Sequence, residues 1–279
     1  MFLANDYSDS SVCVMGLGYV GMTLAATMAD VGFDVLGVEI RDEVLASLKR
    51  GEPHFFEPGL REMLARINKC KNLKLAKQLT SNIDPRVFII TVGTPLGDDG
   101  RSRLDMIENI SHEVASVLRD GDMVIMRSTV KIGTTRSLVT PILDSANVDY
   151  DLAFCPERTL EGVALKELRT LPQIVGANDI RSRTRAAQLF QFLTPTVVRV
   201  DSWETAEMIK LVDNTQRDVS FAFSNEIARL CDEVGVSASE VIEAGKLGYP
   251  RTNLPLPGLV GGPCLAKDSY ILAESMEPF

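Results

Sequence analysis

A chain of 279 residues with 45% hydrophobic and 24% charged residues has an ordinary globular balance, and it is long enough to bury a core without disulfide or metal staples. Its net charge of −9 excludes nucleic acid as the main partner, which demands clustered Lys and Arg, but leaves small anionic ligands open. No apolar run approaches the ~20 residues of a membrane span and no basic stretch leads into an apolar core at the N-terminus, so the expectation is a cytoplasmic protein with no membrane partner.

In chain order, SVCVMGL at 11–17 predicts a buried strand, a helix over about 20–31 follows, and FDVLGVEI at 33–40 predicts a second strand. A helix starts near Asp42, GEPHFFEPGL turns into another through Met63 to Ile67, and LKLAK is a short strand. RVFIITV at 86–92 is a strong strand that stops at GTP. Helices over 104–118 and 133–143 alternate with strands DMVIMRS at 122–128 and YDLAFCP. Strand QIVGA, a helix over 180–192 and strand TVVRV complete an alternation that predicts an α/β fold, a doubly wound parallel sheet covered on both faces, over residues 1–200. From Trp203 to Val234 there is neither proline nor glycine, and Ile209, Val212, Val219, Phe223, Ile227, Leu230 and Val234 recur at three and four. The spacing predicts one helix of roughly 48 Å, with Asp201 and Glu204 as a capping box. A helix that long crosses between domains or packs against a partner. A short helix over 237–245 and a proline- and glycine-rich loop over 248–264 follow, so residues 201–279 form a second, all-helical domain.

GLGYVG, Gly16 to Gly21, sits between the first strand and its helix, the setting in which G-x-G-x-x-G binds a dinucleotide. Gly16 permits the turn, Gly18 lets the backbone approach a pyrophosphate, and Gly21 lets helix and strand pack closely. Glu39 ends the second strand where a carboxylate accepts from a ribose 2′-hydroxyl, which favours NAD over NADP, and the nearby Arg41 softens that preference. The bland alternative is that the glycines serve packing and Glu39 is a solvated strand end. Thr94 in TVGTP, Thr129 in RSTV and Glu157 in CPER also stand at strand ends, where ligands bind in such sheets. Each alone reads as a cap or turn residue; together they point to a site.

Lys210 and Asn214 share one face of the long helix, with Glu207 beside Lys210. An exposed ion pair is the default for such a trio; the functional reading turns Lys210 towards the cofactor, with Asn214 holding substrate or water. The five cysteines are odd in number and show no metal spacing. Cys13 and Cys231 fall on apolar faces, whereas Cys264 lies in GGPCLAKD. Oxidising an alcohol to an acid requires a second hydride, which an aldehyde yields only after something adds to its carbonyl. A thiolate at Cys264 adds, giving a thiohemiacetal and then a thioester. Lys267 favours that thiolate and Asp268 accepts a proton.

From GLGYVG through EPGL, TVGTP, RSTV, CPER and ETAEMIKLVDN to GGPCLAKD, the chain resembles the UDP-glucose/UDP-N-acetylmannosamine dehydrogenase family over nearly its whole length. The resemblance implies a Rossmann-like NAD domain, a small helical dimerisation domain, and conversion of a sugar C6 hydroxyl to a carboxylate with two NAD⁺. It makes Cys264 the nucleophile, gives Lys210, Asn214 and Asp268 the C6 oxygen and its proton, and has Glu157 assist thioester hydrolysis. It places Gly16, Gly18, Gly21, Glu39, Thr94, Thr129 and Lys267 at the NAD site, and Gly261 and Arg251 at the substrate, Arg251 across a homodimer contact. CPER resembles the N-acetylhexosamine branch, so a UDP-N-acetylhexosamine such as UDP-N-acetylmannosamine is the favoured substrate and UDP-glucose the other candidate. Family members continue into a UDP-binding α/β domain beyond the point where this chain stops, so the expectation is that NAD binding and dimerisation survive and turnover is weak or absent. Two rival readings stay open: a two-electron hydroxyacid dehydrogenase of the 6-phosphogluconate type, which needs no thiol, and a non-catalytic NAD-binding dimerisation module.

Overall fold

The computed structural model of the chain describes residues 7–79 and 85–276. Two compact units divide it, one comprising residues 1–95 and 102–207, the other residues 96–101 and 208–279.

The first unit is built on eight strands: β1 (Ser11–Met15), β2 (Asp34–Val38), β3 (Leu73–Ala76), β4 (Val87–Ile90), β5 (Asp122–Met126), β6 (Tyr150–Phe154), β7 (Gln173–Gly176) and β8 (Val197–Val200). They lie in the order β3-β2-β1-β4-β5-β6-β7-β8. β4 and β5 are buried at every residue, as unbroken apolar strands in a sheet covered on both faces must be. Helices α1 (Tyr19–Val31), α2 (Asp42–Lys49), α3 (Leu60–Cys70), α4 (Asp105–Ala115), α5 (Thr140–Asp144), α6 (Ala164–Thr170) and α7 (Ile180–Gln191) connect the strands. The order reverses at β1, where β2 and β4 flank it, and ligands gather at such switch points outside the carboxyl ends of the strands.

The expected all-parallel sheet holds through β6 and then breaks. β7 runs antiparallel to β6, pairing Gly176 with Phe154, and β8 is parallel to β7. The connection from β6 to β7 carries the 7-residue helix α6 and brings the chain back into the sheet at the end it left. Gln173 is held there beside the residues that follow β6, donating to Pro156 O (3.2 Å) and accepting from Arg127 Nη1 (3.0 Å). The sequence reading did not anticipate α6. The helix expected over 133–143 opens as a π-helical turn at Thr135–Val139 before continuing as α5.

The long helix α8 spans Trp203–Val234, with the boundaries its periodicity predicts. Its start differs from the expected capping box. Ser202, rather than Asp201, supplies the cap through a hydrogen bond from Thr205 N to Ser202 Oγ (3.1 Å), and Glu204 pairs with Arg136. Trp203 and Glu207 fix this first turn within the first unit. The indole N–H donates to Leu152 O (3.0 Å), and Glu207 accepts from Gly133 N, Thr135 N and Thr135 Oγ1 at 2.6, 3.0 and 2.6 Å. In the second unit, the rest of α8 is joined by α9 (Ala238–Lys246), α10 (Gly262–Leu265) and α11 (Asp268–Glu274). Ser237 caps α9, and α10 takes up the last residues of what the sequence predicts as a loop.

Candidate active site

The first unit presents a dinucleotide cradle at the carboxyl ends of β1 and β2. Gly16 adopts φ +92°, left-handed space that an L side chain rarely enters. Thr91 locks the turn by donating its hydroxyl to Met15 O and Gly16 O (2.9 and 2.7 Å). A Cβ on Gly21 would lie 1.9 Å from Gly16 O, so only glycine lets α1 approach the turn this closely. A Cβ on Gly18 would meet no heavy atom within 4 Å, which leaves open space where a phosphate would approach. The helix α1 then begins with no side-chain cap on its first N–H groups, the arrangement that receives phosphate oxygens.

Glu39 is only 4% exposed, which excludes the solvated strand end. Its Oε2 accepts from Leu17 N (3.1 Å) and Arg41 Nη2 (2.9 Å), and its Oε1 from Arg41 N and Nε. Burial alone would raise the carboxyl, but the hydrogen bonds from Arg41 outweigh it and hold Glu39 below its ordinary value. The anion thus braces the glycine turn through Leu17 N and is itself held by Arg41.

Further along the same edge, Thr94 Oγ1 donates to Thr129 O (2.5 Å), joining the ends of β4 and β5. Glu157 is buried. Its Oε1 accepts from Arg158 N and Thr159 N (2.7 and 2.8 Å), and its Oε2 receives Arg127 Nη2 at 2.5 Å. Arg127, 2% exposed, also donates through Nη1 to Cys155 O (2.9 Å) and Gln173 Oε1 (3.0 Å), with its guanidinium 5.2 Å from the Phe190 ring centre. Arg127, the first residue of RSTV, has no role legible in the sequence; the buried partners that give it one come from the end of β6, from β7 and from α7.

In the second unit Lys210, Asn214 and Asp268 are all buried, at 8, 6 and 1% exposure. This overturns the exposed ion pair as the reading of the Lys210 trio, and the carboxylate of Glu207 is engaged at residues 133–135 instead. Asn214 Nδ2 donates to Asp268 Oδ2 (2.5 Å), and Lys267 Nζ pairs with Asp268 Oδ1 (2.9 Å). Asp268 is thus a buried carboxylate held by an amide and an ammonium. Cys264 lies on α10, one turn before Asp268 in sequence, and is exposed. Gly261 precedes α10 in extended conformation, and Gly262 opens the helix at φ +88°. Arg251 is exposed and stacks its guanidinium over Tyr249, 4.5 Å from the ring centre. By contrast, Cys13 and Cys155 are buried, and burial pushes the Cys155 thiol up to about 12. Among the described residues no group of three His, Cys, Asp or Glu side chains is placed to hold a metal ion. No described helix is long and apolar enough to cross a membrane.

A mostly parallel sheet with a glycine turn open at Gly18, closed at Gly21 and braced by an acid at the end of β2 defines a Rossmann-type dinucleotide-binding protein. The chain belongs to the UDP-glucose/GDP-mannose dehydrogenase family: residues 10–194 match its NAD binding domain and residues 204–278 its central domain. It is similar to the UDP-N-acetyl-D-mannosamine dehydrogenase of Methanococcus maripaludis, with 34% identity covering 96% of this chain and 62% of that protein. The solved structure of the UDP-D-ManNAc dehydrogenase from Pyrococcus horikoshii matches with a TM-score of 0.90 at 34% identity, over 96% of this chain and 65% of that one. A UDP-glucose dehydrogenase structure from Pyrobaculum islandicum matches with a TM-score of 0.86 at 28% identity, over 97% of this chain and 65% of that one. The chain thus spans less than two thirds of the length of these relatives.

Proposed function

We propose that the chain carries the cofactor and thiol machinery of an NAD-dependent nucleotide-sugar 6-dehydrogenase. Its substrate is a UDP-N-acetylhexosamine, UDP-N-acetylmannosamine before UDP-glucose, in keeping with the names of the relatives above and with the CPER sequence. The observation that carries this reading is the buried Asp268, held by the buried Asn214 and the half-buried Lys267 and placed four residues after an exposed cysteine, in a chain with a dinucleotide cradle.

Bound NAD⁺ would rest on Gly16, Gly18 and Gly21 with Glu39 and Arg41 at its ribose, and it supplies the hydride acceptor in both oxidations. Thr94, Thr129 and Lys267 complete its contacts in this reading. Lys210, Asn214 and Asp268 hold the C6 oxygen and take its proton. The Cys264 thiolate then adds to the aldehyde carbon, which permits the second oxidation to a thioester. Glu157, fixed by Arg127 and two backbone N–H groups, orients the water that releases the acid and regenerates the thiol. Gly261 and Arg251 contact the substrate, Arg251 from a second copy of the chain.

A homodimer is part of this reading. Val219, Phe223, Leu230 and Val234 recur along α8 and are 61, 53, 55 and 76% exposed, a stripe that a second copy would cover. The reading also places the chain in the cytoplasm, where thiols remain reduced. The test is intact-mass measurement after incubation with NAD⁺ and UDP-N-acetylmannosamine. A Cys264-dependent adduct is the expected result, and whatever acid forms, at the weak turnover expected of this chain, should come with two NADH each. One NADH per sugar without an adduct would support the two-electron hydroxyacid dehydrogenase instead, and NAD⁺ binding with neither product would leave a non-catalytic module.

A further inference from the structure

EPGL supplies a carboxylate whose position gives it work. Glu57 is 5% exposed and ties together three segments distant in sequence. Tyr19, the first residue of α1 and the neighbour of Gly18, donates its hydroxyl to Glu57 Oε2. Gly162 N donates to that same hydroxyl (3.0 Å) and to Glu57 Oε2 (2.9 Å). Leu165 N, in the first turn of α6, donates to Glu57 Oε1 (3.1 Å). The Tyr19 ring also packs on Phe55, with centres 4.8 Å apart, and burial together with the Glu57 contact raises the phenol well above its ordinary range. The segment from Arg158 to Val163 is therefore gripped at both ends, at its start by Glu157 Oε1 and at its finish by Glu57. Gly162 holds φ +88° at the second grip.

We propose that Glu57 is a positioning residue that joins the pyrophosphate turn, through Tyr19, to the segment following Glu157, so that filling the dinucleotide cradle orders residues 158–165. The inference rests on the dinucleotide reading of the GLGYVG turn. A phosphate on the first N–H groups of α1 restrains Tyr19. The phenol, the carboxylate and the Gly162 N–H form one mutually bonded triangle, so restraint at one corner reaches the other two. In the proposed reaction this brings the Glu157 loop into its working shape when the cofactor is present, and linkage makes the effect reciprocal.

The test is amide hydrogen exchange on the 279-residue chain with and without saturating NAD⁺, alongside NAD⁺ titration by calorimetry. In the unsubstituted chain, NAD⁺ should raise protection over residues 16–22 and also over 160–167. Tyr19→Phe keeps the ring on Phe55 and removes only the hydroxyl. It should retain the NAD⁺-dependent protection over 16–22, lose it over 160–167, and weaken NAD⁺ binding about fivefold, the low end for coupled sites. Glu57→Gln should show the same split. If Glu57→Gln does not fold, Tyr19→Phe decides alone, since it leaves Glu57 and its Leu165 contact in place. Full NAD⁺-dependent protection over 160–167 in Tyr19→Phe overturns the proposal, as does an equal loss of protection there with and without NAD⁺, the mark of a purely structural contact. An unsubstituted chain that binds NAD⁺ without any change over 160–167 removes the link alone, whereas one that binds no NAD⁺ removes the dinucleotide reading itself.

Discussion

Arg127→Met is the substitution most sharply predicted by the structure. The guanidinium and the Glu157 carboxylate are both buried and 2.5 Å apart, and methionine fills most of the stem volume while removing the charge. Deleting one partner of a buried pair strands the other, at a cost of about 3–5 kcal/mol. Cys155 O and Gln173 Oε1 lose their donor in the same step. One existing cost partly offsets this, because Arg127 Nε is buried without an acceptor. The expected loss is therefore about 3 kcal/mol, which lowers a urea midpoint by about 1–2 M. The chain has a single tryptophan, and Trp203 is buried against Leu152 at the heart of the first unit, so its fluorescence follows the relevant transition. Adding Glu157→Gln to Arg127→Met should recover part of the loss, and the non-additivity measures the pair. Arg127→Lys should fall between, since an ammonium cannot serve three acceptors in the plane of a guanidinium. A midpoint shift for Arg127→Met below about 0.3 M, with an unchanged slope, would show that the buried pair contributes little and that the strand end is held by other means.

Four further outcomes are expected. Gly21→Ala must displace Gly16 O, so it should cost at least about 3 kcal/mol and abolish NAD⁺ binding, whereas Gly18→Ala should leave stability within about 0.5 kcal/mol and weaken NAD⁺ roughly tenfold by calorimetry. At pH 8 a chromogenic disulfide should label the exposed Cys264 and Cys70 quickly and reach the buried Cys13, Cys155 and Cys231 only after denaturation; Cys264→Ser should remove one fast equivalent and leave NAD⁺ affinity unchanged. Burial raises the Glu207 carboxyl above its ordinary 4.5 despite hydrogen bonds from residues 133–135 that pull it down. Its contribution to stability is thus fully present below pH 4.5 and lost as pH rises through the folded value, so Glu207→Gln should gain on the unsubstituted chain between pH 4.5 and 8 in denaturation experiments. Val219→Glu with Phe223→Glu should convert the proposed homodimer into a monomer by light scattering while sparing NAD⁺ binding.

The features legible in the sequence are those written locally. The strands stand out because β-branched runs are punctuated by glycine and proline, and α8 because apolar residues recur mostly at three and four along 32 residues without a breaker. The glycine turn is legible for the same reason, each glycine meeting a steric demand within a few residues. The direction of β7 is not, because QIVG buries equally well either way round, and the contacts of Gln173 with Arg127 and Pro156 that accompany its reversal join residues distant in sequence. Arg127 and Glu57 stand in RSTV and EPGL, but their roles are not legible there because their meaning lies in distant partners. Glu57 meets Tyr19 across 38 positions and Gly162 across 105, and a buried carboxylate looks no different in sequence from a solvated one. Lys210 and Asn214 were visible as a helical pair, but the contact that gives Asn214 its bearing is Asp268, 54 positions away.

The reversal at β7 also limits how this chain can change over evolution. Between β6 and β7 the chain leaves the sheet and returns at the same end, and Gln173 Nε2 closes the circuit on Pro156 O at 3.2 Å. Residues added or removed in that stretch would shift Gln173 against Arg127, so drift in length there should be selected against. The turn at 97–100, held by its own backbone hydrogen bonds from Gly97 N to Arg101 O and from Gly100 N to Gly97 O, is the kind of place where insertions can accumulate without cost to the sheet.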